Sequence, residues 1–407
     1  MKIVQINAVY QFSSIGRTTM EMHQYLTKKG HQSYVFCTNH EDKNNQIYEV
    51  GNRFTHKIHA LLSRLTGLQA YFSHYSTSKL IHQLDQIQPD IVILRNLHAN
   101  YIHLSSLLTY LASKDIGTIV VLHDCWTFTG HCCYYTEDEC IKWKTGCHHC
   151  PAIKKYNKSL FFDTSAKCFS DKKKLFHAIP RLAVVGVSNW ITDEARQSPV
   201  FSEAKIIQRI YNWIDLDVFR PGGANELRQQ LCLSETDFVV LGVSQSWSEY
   251  KGLYRFEELA RQCPDISFVM VGEMSQLTKT TLPSNIYSVG SVNDVNHLAE
   301  YYSMADVFLN FSQQETFGKV SAEALACGTP LIINDSTANP ELCCEGCGYI
   351  FPYGDWQEVP KLFVKMRSEG KNTYTKHCRR SAEERFSLNG GLEEYLRLFN
   401  KLISNEV

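Results

Sequence analysis

The sequence predicts an α/β fold with two domains, each built around a parallel β-sheet. At 407 residues the chain is too long for one ordinary core, and its 44% apolar and 20% charged residues are typical of a globular protein. The clearest local pattern spans residues 306–335, where an apolar strand, a loop, a helix and a second apolar strand follow one another. Two strands joined by one helix form a βαβ unit, which belongs to a parallel sheet.

The first half of the chain alternates predicted strands and helices. A strand at 2–9 precedes a loop and a helix from about Arg17 to Lys29, which Gly30 closes. Residues 54–88 are predicted to be helical up to Pro89, because proline cannot continue a helix. No GxGxxG follows the first strand, which argues against a dinucleotide-dependent oxidoreductase. The other strands of this half are SYVFCT, PDIVILRN, GTIVVLHDCW, RLAVVGV and KIIQRIYN.

A turn-rich connector ends this half and places a domain boundary near residue 215. Pro221 and the pair Gly222 and Gly223 supply its hinge. The second half then begins with the strand DFVVLGVSQSW and the helix YKGLYRFEELARQC. The strands ISFVMVG and IYSVG and the helix NDVNHLAEYYSMA lead into residues 306–335.

Two glutamates of this central segment lie where a nucleotide could bind. Glu315 is on the loop at the carboxyl end of the sheet, where ligands of parallel sheets bind. Glu323 lies roughly 9 Å along a helix that is predicted to start near Phe317. The backbone N–H groups of Phe317, Gly318 and Lys319 would face a diphosphate at the helix start. Glu323 could accept hydrogen bonds from ribose hydroxyls, and Glu315 could accept them from a second sugar.

The string ETFGKVSAEALACGTP, from Glu315 to Pro330, resembles the signature of the retaining glycosyltransferases of family 4. In that family the second glutamate binds the nucleotide ribose and the first binds the donor hexose, so the resemblance assigns these roles to Glu323 and Glu315. It also implies the GT-B architecture, in which two doubly wound Rossmann-like domains face each other across a cleft. The implied domains are an acceptor-side domain at 1–214 with a Cys-rich insertion at about 125–151, a donor-binding domain at 215–387, and a helix in 388–407 that packs back on the first domain.

The resemblance assigns roles to further residues. Lys251 and Gly252 correspond to the lysine and glycine that hold the donor diphosphate. His123 corresponds to a position beside the reacting sugar, where we expect a positioning or acceptor-side role. Gly16 is what remains of a glycine pair that lies close to the donor phosphate. The family's arginine is absent from residues 244–246, so Lys251 is expected to carry more of the charge.

The activity that the resemblance implies is transfer of a sugar from a nucleoside diphosphate sugar to an acceptor hydroxyl, with retention of anomeric configuration. Lys251 and the helix start near Gly318 would stabilise the leaving diphosphate, so no catalytic metal is expected. Similar bacterial proteins build exopolysaccharide, capsule or lipid-linked glycans, which makes such a glycan the expected acceptor. Because one arginine and one glycine of the pattern are absent, two alternatives stay open: a non-catalytic protein that binds nucleotide sugars or glycans, and a nucleotide-sugar epimerase.

The cysteines of the chain form a separate pattern. There are fifteen of them, and most are expected to be buried thiols because disulfides are rare in cytosolic proteins. The segment GHCCYYTEDECIKWKTGCHHC is dense enough in ligands to predict a structural zinc that pins a loop beside the active site, with no coordination position open. Four thiolates would come from Cys132 or Cys133 and from Cys140, Cys147 and Cys150, with His131, His148 and His149 as alternatives.

Charge and hydropathy limit the partners of the protein. A formal net charge of −1 provides no global attraction for nucleic acid. No segment approaches about eighteen consecutive apolar residues, and the start MKIVQINAVY has a strand pattern, so we expect a cytoplasmic protein. The lysine-rich segment 154–176, with Phe161 and Phe162 in tandem, has two interpretations: a solvated lysine-rich helix, which is the commoner case, or an amphipathic surface that touches anionic lipid at the inner membrane face. Its expected basic residues include Lys172, Lys173 and Lys174.

Overall fold

The computed structural model describes residues 1–42, 44–223, 225–279 and 281–404. The chain divides into two compact units: unit one comprises Met1–Ile210 and Leu392–Val407, and unit two comprises Tyr211–Gly391. Unit two therefore starts close to the boundary that the sequence predicts near residue 215. Among the described residues, none of the helices combines the length and the apolar character that a membrane span requires.

Unit one contains a parallel sheet with the strand order β3-β2-β1-β4-β5-β6-β7. Every residue of its central strand Gly117–Leu122 is buried, as expected for a parallel strand that is covered on both faces. The strands are β1 (Lys2–Ile6), β2 (Gln32–Cys37), β3 (Ile47–Glu49), β4 (Ile91–Leu94), β5 (Gly117–Leu122), β6 (Leu182–Gly186) and β7 (Ile206–Arg209). The helices are α1 (Ser13–Lys28), α2 (Arg53–Thr66), α3 (His74–Ile87), α4 (Leu104–Ser113), α5 (Ser165–His177) and α6 (Asn189–Gln197).

Unit two repeats this arrangement with the strand order β10-β9-β8-β11-β12-β13, again with parallel pairing throughout. Its strands are β8 (Phe238–Ser246), β9 (Ile266–Glu273), β10 (Ile286–Gly290), β11 (Val307–Asn310), β12 (Leu331–Asn334) and β13 (Gly348–Phe351). Its helices are α7 (Asn225–Gln230), α8 (Leu253–Gln262), α9 (Gln276–Lys279), α10 (Val295–Met304), α11 (Lys319–Ala326), α12 (Val359–Glu369) and α13 (Asn372–Phe386). Helix α14 (Leu388–Ile403) begins in unit two, and its residues from Leu392 onward belong to unit one.

The central βαβ prediction is confirmed. Strands β11 and β12 are parallel neighbours, joined by α11. Gly328, just past the helix, has a φ of 75°, a left-handed conformation in which glycine avoids the strain that a Cβ would cause. The helix begins at Lys319 rather than near Phe317, because Gly318 is its left-handed N-cap with a φ of 85°.

Two helix predictions in unit one are wrong in detail. The segment predicted as one helix at 54–88 is two helices, because Gly67 ends α2 with a φ of 77° and α3 begins only at His74. The first helix starts at Ser13 instead of Arg17, so Gly16 lies in its first turn and not in a loop. The preceding turn reaches this geometry with two non-glycine residues in left-handed conformations, Gln11 (φ 67°) and Ser13 (φ 63°).

The predicted lysine surface is wrong for Lys172. This side chain is 2% exposed, and its Nζ donates to the carbonyl oxygens of Trp126 at 2.5 Å and Thr129 at 2.9 Å. The next two residues, Lys173 and Lys174, are exposed on α5. Because successive helical positions are 100° apart, a run of three lysines cannot lie on one face, and the first one turns into unit one to hold the loop that follows β5.

Candidate functional site

The order of strands in unit two reverses between β8 and β11, since β9 and β10 lie on one side of β8 and β12 and β13 on the other side of β11. In open parallel sheets, ligands bind at the carboxyl ends of the strands, next to the point where the strand order reverses. Lys251 follows β8 and Glu315 follows β11, so the topology brings them to this point. The Lys251 Nζ donates to the Glu315 Oε1 at 2.7 Å and to the Ser312 Oγ at 3.0 Å.

The Lys251–Glu315 ion pair is accessible and its loop is held in place. The two side chains are 38% and 17% exposed, so a ligand in solution can reach both. The Glu315 backbone N–H donates to the Thr337 Oγ1 at 2.9 Å, and the Ala338 N–H donates to the Glu315 carbonyl oxygen at 3.2 Å. An anion can therefore bind the ammonium group while a hydroxyl donates to the carboxylate beside it.

Gly252 allows this pair to form. It is the left-handed N-cap of α8, with a φ of 77°, directly after Lys251. A Cβ at this position would lie 2.4 Å from the Cβ of Phe311, the residue that follows β11. Only glycine permits this close approach. Gly252, which the sequence predicts to bind the donor, therefore lets the turn that carries Lys251 pack against the end of β11.

The start of α11 contributes backbone rather than side-chain groups. The Phe317 side chain is 2% exposed and packs against Phe386, with ring centroids 5.4 Å apart. The first N–H groups of a helix, here from Lys319 onward, have no acceptor within the helix and carry its positive dipole end. Of the three residues predicted to face a diphosphate, Gly318 and Lys319 lie at this end, and Phe317 contributes at most its backbone.

Glu323 lies on the same helix as a nearly buried carboxylate. Its residue is 4% exposed, and its Oε2 accepts a hydrogen bond of 2.9 Å from the hydroxyl of Tyr302, which is fully buried on α10. This hydrogen bond orients the carboxylate within the fold. A hydroxyl-bearing ligand that reaches Glu323 would therefore meet an acceptor of fixed direction, four residues past Lys319.

Sequence reasoning missed Arg255. This residue of α8 lies four positions after Lys251, is 8% exposed, and has its guanidinium carbon 5.8 Å from the centre of the Phe311 ring. Its buried Nε forms no hydrogen bond within the part of the chain that the structure describes. An arginine in the first turn of a helix that starts at the site is the signal that could have identified it. It places a second cation beside the end of β11.

In unit one, His123 follows β5 as predicted, and it is buried against an arginine. The Arg95 Nη1 lies 2.9 Å from the His123 Nε2, and the two residues are 3% and 6% exposed. Because a guanidinium can only donate, Nε2 accepts and the imidazole proton is on Nδ1. Burial, reinforced by the Arg95 charge, lowers the pKa of His123 to about 3. His123 is therefore a neutral imidazole at pH 7, suited to donating a hydrogen bond and unsuited to carrying charge.

Both carboxylate oxygens of Asp124, the next residue, form hydrogen bonds within unit one. Its Oδ2 lies 2.8 Å from the His98 Nε2, and its Oδ1 accepts from the Trp126 N–H at 2.8 Å. Together with Cys133 these residues form the one group in the described chain whose three candidate ligand atoms all lie within 4.8 Å of one another. Both carboxylate oxygens already accept hydrogen bonds, so the group is explained by the turn that it stabilises.

Gly16 packs tightly under the turn after β1. A Cβ there would lie 3.3 Å from the Gln11 backbone nitrogen, and the Gln11 N–H donates to the Gly16 carbonyl oxygen at 3.3 Å. The glycine thus lets the turn fold down on α1, a packing role that the sequence did not predict.

The predicted metal ligands Cys132, Cys140, Cys147 and Cys150 all line one small cavity of unit one, between β5 and α5. His131 and His148 also line it, whereas Cys133 and His149 do not. The four cysteines therefore line one cavity, and of the adjacent pair it is Cys132 that lines it.

Family models and solved structures match the chain over most of its length. The model of Glycosyltransferase Family 4 matches residues 15–218, and that of Glycosyl transferases group 1 matches residues 224–385. A glycosyltransferase from Rickettsia africae superimposes with a TM-score of 0.70 at 17% identity over 99% of each chain. HepE of Anabaena, solved with UDP and glucose, superimposes with a TM-score of 0.67 at 16% identity, over 98% of this chain and all of that one. These likenesses confirm the GT-B fold class.

Relatives among well-described proteins match this chain over smaller shares of its length than the solved structures do. The putative colanic acid biosynthesis glycosyl transferase WcaC of Escherichia coli is 21% identical over 84% of this chain and 85% of its own length. The N-acetyl-alpha-D-glucosaminyl L-malate synthase of Bacillus anthracis is 23% identical over 55% of this chain, which spans 60% of that protein. The chain spans 50% of the processive diacylglycerol alpha-glucosyltransferase of Acholeplasma laidlawii. Because one family model alone covers half of the chain, at residues 15–218, the protein belongs to glycosyltransferase family 4.

Proposed function

We propose that the protein is a retaining glycosyltransferase that moves a sugar from a nucleoside diphosphate sugar to a hydroxyl of a glycan or lipid-linked glycan. The observation that carries this proposal is the Lys251–Glu315 ion pair of 2.7 Å, which lies where the strand order of unit two reverses. A phosphate ligand competes for the lysine and a sugar hydroxyl for the glutamate, so one molecule bearing both groups fits the pair.

The leaving diphosphate is stabilised by fixed positive groups of unit two. Lys251 supplies a full charge, and the N-terminus of α11 at Gly318 and Lys319 supplies N–H donors and the helix dipole. Arg255, beside Phe311, takes the part of the arginine that is absent from residues 244–246. With these groups the charge on the diphosphate is met without a catalytic metal, and activity should persist in a chelator.

The two glutamates hold the sugars of the donor. Glu323, oriented by Tyr302, accepts from the ribose hydroxyls, and Glu315 accepts from the hexose and positions it. In the transfer step the bond between the anomeric carbon and the diphosphate oxygen breaks and a bond to the acceptor oxygen forms. The acceptor proton passes to the departing diphosphate. His123, held as a neutral imidazole beside Arg95, acts as a positioning or acceptor-side residue.

The relatives support the substrate class. HepE was solved with UDP and with UDP-glucose, which favours a uridine diphosphate sugar as the first donor to test. The name of WcaC refers to colanic acid, and WaaG is a glycosyltransferase involved in lipopolysaccharide biosynthesis. We accordingly propose an acceptor in surface polysaccharide synthesis and a cytoplasmic location.

Calorimetric titration with UDP, GDP and ADP tests the donor site. We expect one nucleotide to bind in the micromolar range and the Glu323→Ala protein to bind it at least about tenfold more weakly, because a charged acceptor of the ribose is lost. Tyr302→Phe is the matched control, since it keeps the carboxylate and removes only the group that orients it. Binding that Glu323→Ala leaves unchanged would contradict the proposed position of the ribose.

The identified nucleotide then selects the donor sugars for a transfer assay. Proton NMR of the first product reports its anomeric configuration, and retention is the expected result. Inversion would contradict the proposed mechanism. Conversion of the nucleotide sugar without acceptor would favour an epimerase, and binding without any turnover would favour a non-catalytic protein.

An apolar and basic surface of unit one supports peripheral membrane contact, which we propose as part of the function. On α2, Phe54, Ile58 and Leu61 are 71%, 43% and 56% exposed, at a spacing that lines one face of the helix. Phe161 and Phe162 are 71% and 60% exposed, and the neighbouring Leu160 N–H donates to the Arg64 carbonyl oxygen at 2.7 Å at the end of α2. The exposed basic residues of α2, which would meet lipid phosphates, are Arg53, Lys57 and Arg64.

Sedimentation with vesicles of anionic and of zwitterionic lipid tests this surface. We expect the protein to bind the anionic vesicles and the Phe54→Ser, Phe161→Ser double variant to lose most of that binding. Val364→Ser is the matched control, because this side chain is 72% exposed on α12 of unit two. Equal binding by the double variant and the control would exclude the surface.

A further inference from the structure

The segment between β5 and α5 has little regular structure to hold it. In the part of the chain that the structure describes, residues 123–164 contain three single turns of 3₁₀ helix and neither a strand nor an α-helix: the turns are Trp126–Phe128, Thr136–Asp138 and Lys142–Lys144. Loops of this length without secondary structure are uncommon in compact domains. Interactions other than the backbone hydrogen bonds of helices and sheets must hold the segment in one conformation.

Three large aromatic side chains of the segment are fully buried: Trp126, Phe128 and Trp143. Trp143 is 1% exposed, and its ring lies 5.0 Å from that of Tyr135 and 5.2 Å from that of Phe128. Ile141, two positions earlier, is 67% exposed. Trp143 and its aromatic neighbours make a small core, and small cores commonly need a metal or disulfides as additional support.

Four cysteines lie beside this small core. Cys132, Cys140, Cys147 and Cys150 line the same cavity, of about 10 Å³, to which Trp143 and Tyr135 also contribute. That volume accommodates one water-sized particle and excludes an organic ligand. Four soft ligands around a space for a single ion are the ligand set and size of a tetrahedral zinc site.

Two of the neighbouring candidate ligands, His131 and Cys133, are excluded by their own contacts. The His131 Nδ1 accepts from the Gln69 Nε2 at 2.9 Å, and the Gln69 orientation is set because its Oε1 accepts from the Trp126 indole N–H. The other nitrogen of His131 therefore carries the proton and cannot bind a metal. Cys133 does not line the cavity, and its sulfur lies with His98 and Asp124 instead.

Backbone groups around the cavity are arranged as in the outer layer of a metal site. The Gly130 N–H donates to the Cys147 Sγ at 3.1 Å, and the Cys150 N–H donates to the Asp163 Oδ2 at 2.7 Å. A Cβ on Gly130 would lie 2.3 Å from the Ser165 carbonyl oxygen and 2.7 Å from the Cys147 Cβ, so this position requires glycine. Hydrogen bonds from backbone N–H groups stabilise and orient a metal-bound thiolate.

Lys142 places a positive charge at the same cavity. Its side chain lines the cavity, and its Nζ donates to the carbonyl oxygens of His148 at 3.2 Å and His149 at 2.9 Å. These contacts close the turn that carries Cys147 and Cys150. Because four thiolates and one Zn²⁺ leave a net charge of −2, a nearby ammonium group favours the filled site.

We propose that Cys132, Cys140, Cys147 and Cys150 bind one structural Zn²⁺ that holds residues 123–164 in place. In the described residues no three of these sulfur atoms lie within 4.8 Å of one another, whereas a Zn–S bond of about 2.3 Å requires about 3.8 Å between ligand sulfurs. Binding therefore draws the side chains inward and releases the thiol protons to solvent. The site is independent of the donor site in unit two, and it stands even if the proposed transfer reaction fails.

Metal analysis of protein purified without chelators or an affinity tag that binds metals tests the proposal. Elemental analysis is expected to give about one equivalent of zinc per chain. Cys132→Ser and Cys147→Ser are each expected to lose nearly all of it. Two variants are the matched controls and should keep the zinc. Cys133→Ser alters the neighbouring residue, and Cys344→Ser alters a cysteine of unit two whose Sγ lies 2.8 Å from that of Cys347.

Cobalt reconstitution keeps the test valid if a ligand variant does not fold. Replacing zinc by Co²⁺ in the wild-type protein should produce the visible absorption of a tetrahedral thiolate site, and the same spectrum should appear in Cys133→Ser. Zinc well below one equivalent in wild-type protein would overturn the proposal. So would disulfide bonds between these four cysteines in freshly purified protein, or zinc that is lost in Cys344→Ser and kept in Cys147→Ser.

Discussion

The six strands of unit two have the same order as the first six strands of unit one, yet the side chains at the carboxyl ends of the strands differ in burial. In unit one, Arg95 follows β4 and His123 follows β5, and both are almost fully buried. In unit two, Lys251 follows β8 and Glu315 follows β11, and they are 38% and 17% exposed. The same topology thus presents a buried neutral imidazole in one unit and an accessible ion pair in the other. Burial, rather than fold, determines which chemistry each sheet edge can offer.

The largest expected effect is that of Glu315→Gln. This variant removes the carboxylate that positions the hexose while keeping its size, so we expect the transfer rate at saturating donor to fall about a hundredfold or more. Nucleotide affinity should hold or improve, because Lys251 loses its competing partner. Glu249→Gln, an exposed glutamate near Lys251, is the control. Full turnover by Glu315→Gln would contradict the proposed role of this exposed carboxylate, and with it the proposed difference in chemistry between the two units.

Removal of one cation from each unit should affect different properties. Arg95→Met leaves the buried His123 Nε2 without its donor, and we expect it to lower the free energy of unfolding by about 2 kcal/mol. Lys251→Met breaks a partly exposed ion pair, so its stability should change by less than about 1 kcal/mol while nucleotide binding weakens about tenfold. Urea unfolding and calorimetry measure the two quantities. Similar stability losses in both variants would contradict the claim that burial distinguishes the two pairs.

The pH dependence of the free energy of unfolding tests whether the buried His123 is held neutral. Burial, with the Arg95 charge added, lowers the pKa of His123 to about 3, whereas an unfolded histidine titrates near 6.5. Below about pH 6.5 the unfolded chain takes up a proton that folded His123 does not, so stability is lost as the pH falls towards 3.

Urea unfolding at pH 7.5 and 5.5 measures this loss. Wild-type protein should lose about 1 kcal/mol more than His123→Gln between the two values. The other buried histidines, including His59 and His131, are common to both proteins and cancel in the difference. Identical pH dependence in the two proteins would show that His123 is not held neutral.

The smallest expected effect is that of Arg255→Gln. If this buried guanidinium replaces the arginine that residues 244–246 lack, the variant should bind the nucleotide about three- to tenfold more weakly. Arg261→Gln, on the same helix with a side chain that is 51% exposed, is the matched control. A loss of stability without a change in affinity would assign Arg255 to packing alone.

Local patterns in the sequence were sufficient for the elements that carry the donor site. The strand, loop, helix and strand around Glu315 and Glu323 are specified by an apolar run, a glycine stop and a proline, all within 30 residues of one another. The family resemblance rests on the same short string, and the family models confirm it. The roles of the individual residues stay predictions, because a role depends on the ligand that each of them meets.

Other features depended on contacts between residues far apart in the chain. Arg95 and His123 are 28 positions apart, and only the neighbouring positions of β4 and β5 in the sheet reveal that they pair. Burial of Lys172 is equally invisible in a lysine-rich helix, because it depends on carbonyl groups more than 40 residues earlier.

The choice of Cys132 over Cys133 shows the same limit most simply. Adjacent residues are indistinguishable by spacing, and only the turn after β5 decides which of the two lines the cavity. The order and type of the elements follow from the sequence alone, because propensity and hydrophobic period act over a few residues. The tertiary structure decided burial, partner and ligand set, because these depend on which distant segments the two sheets bring together.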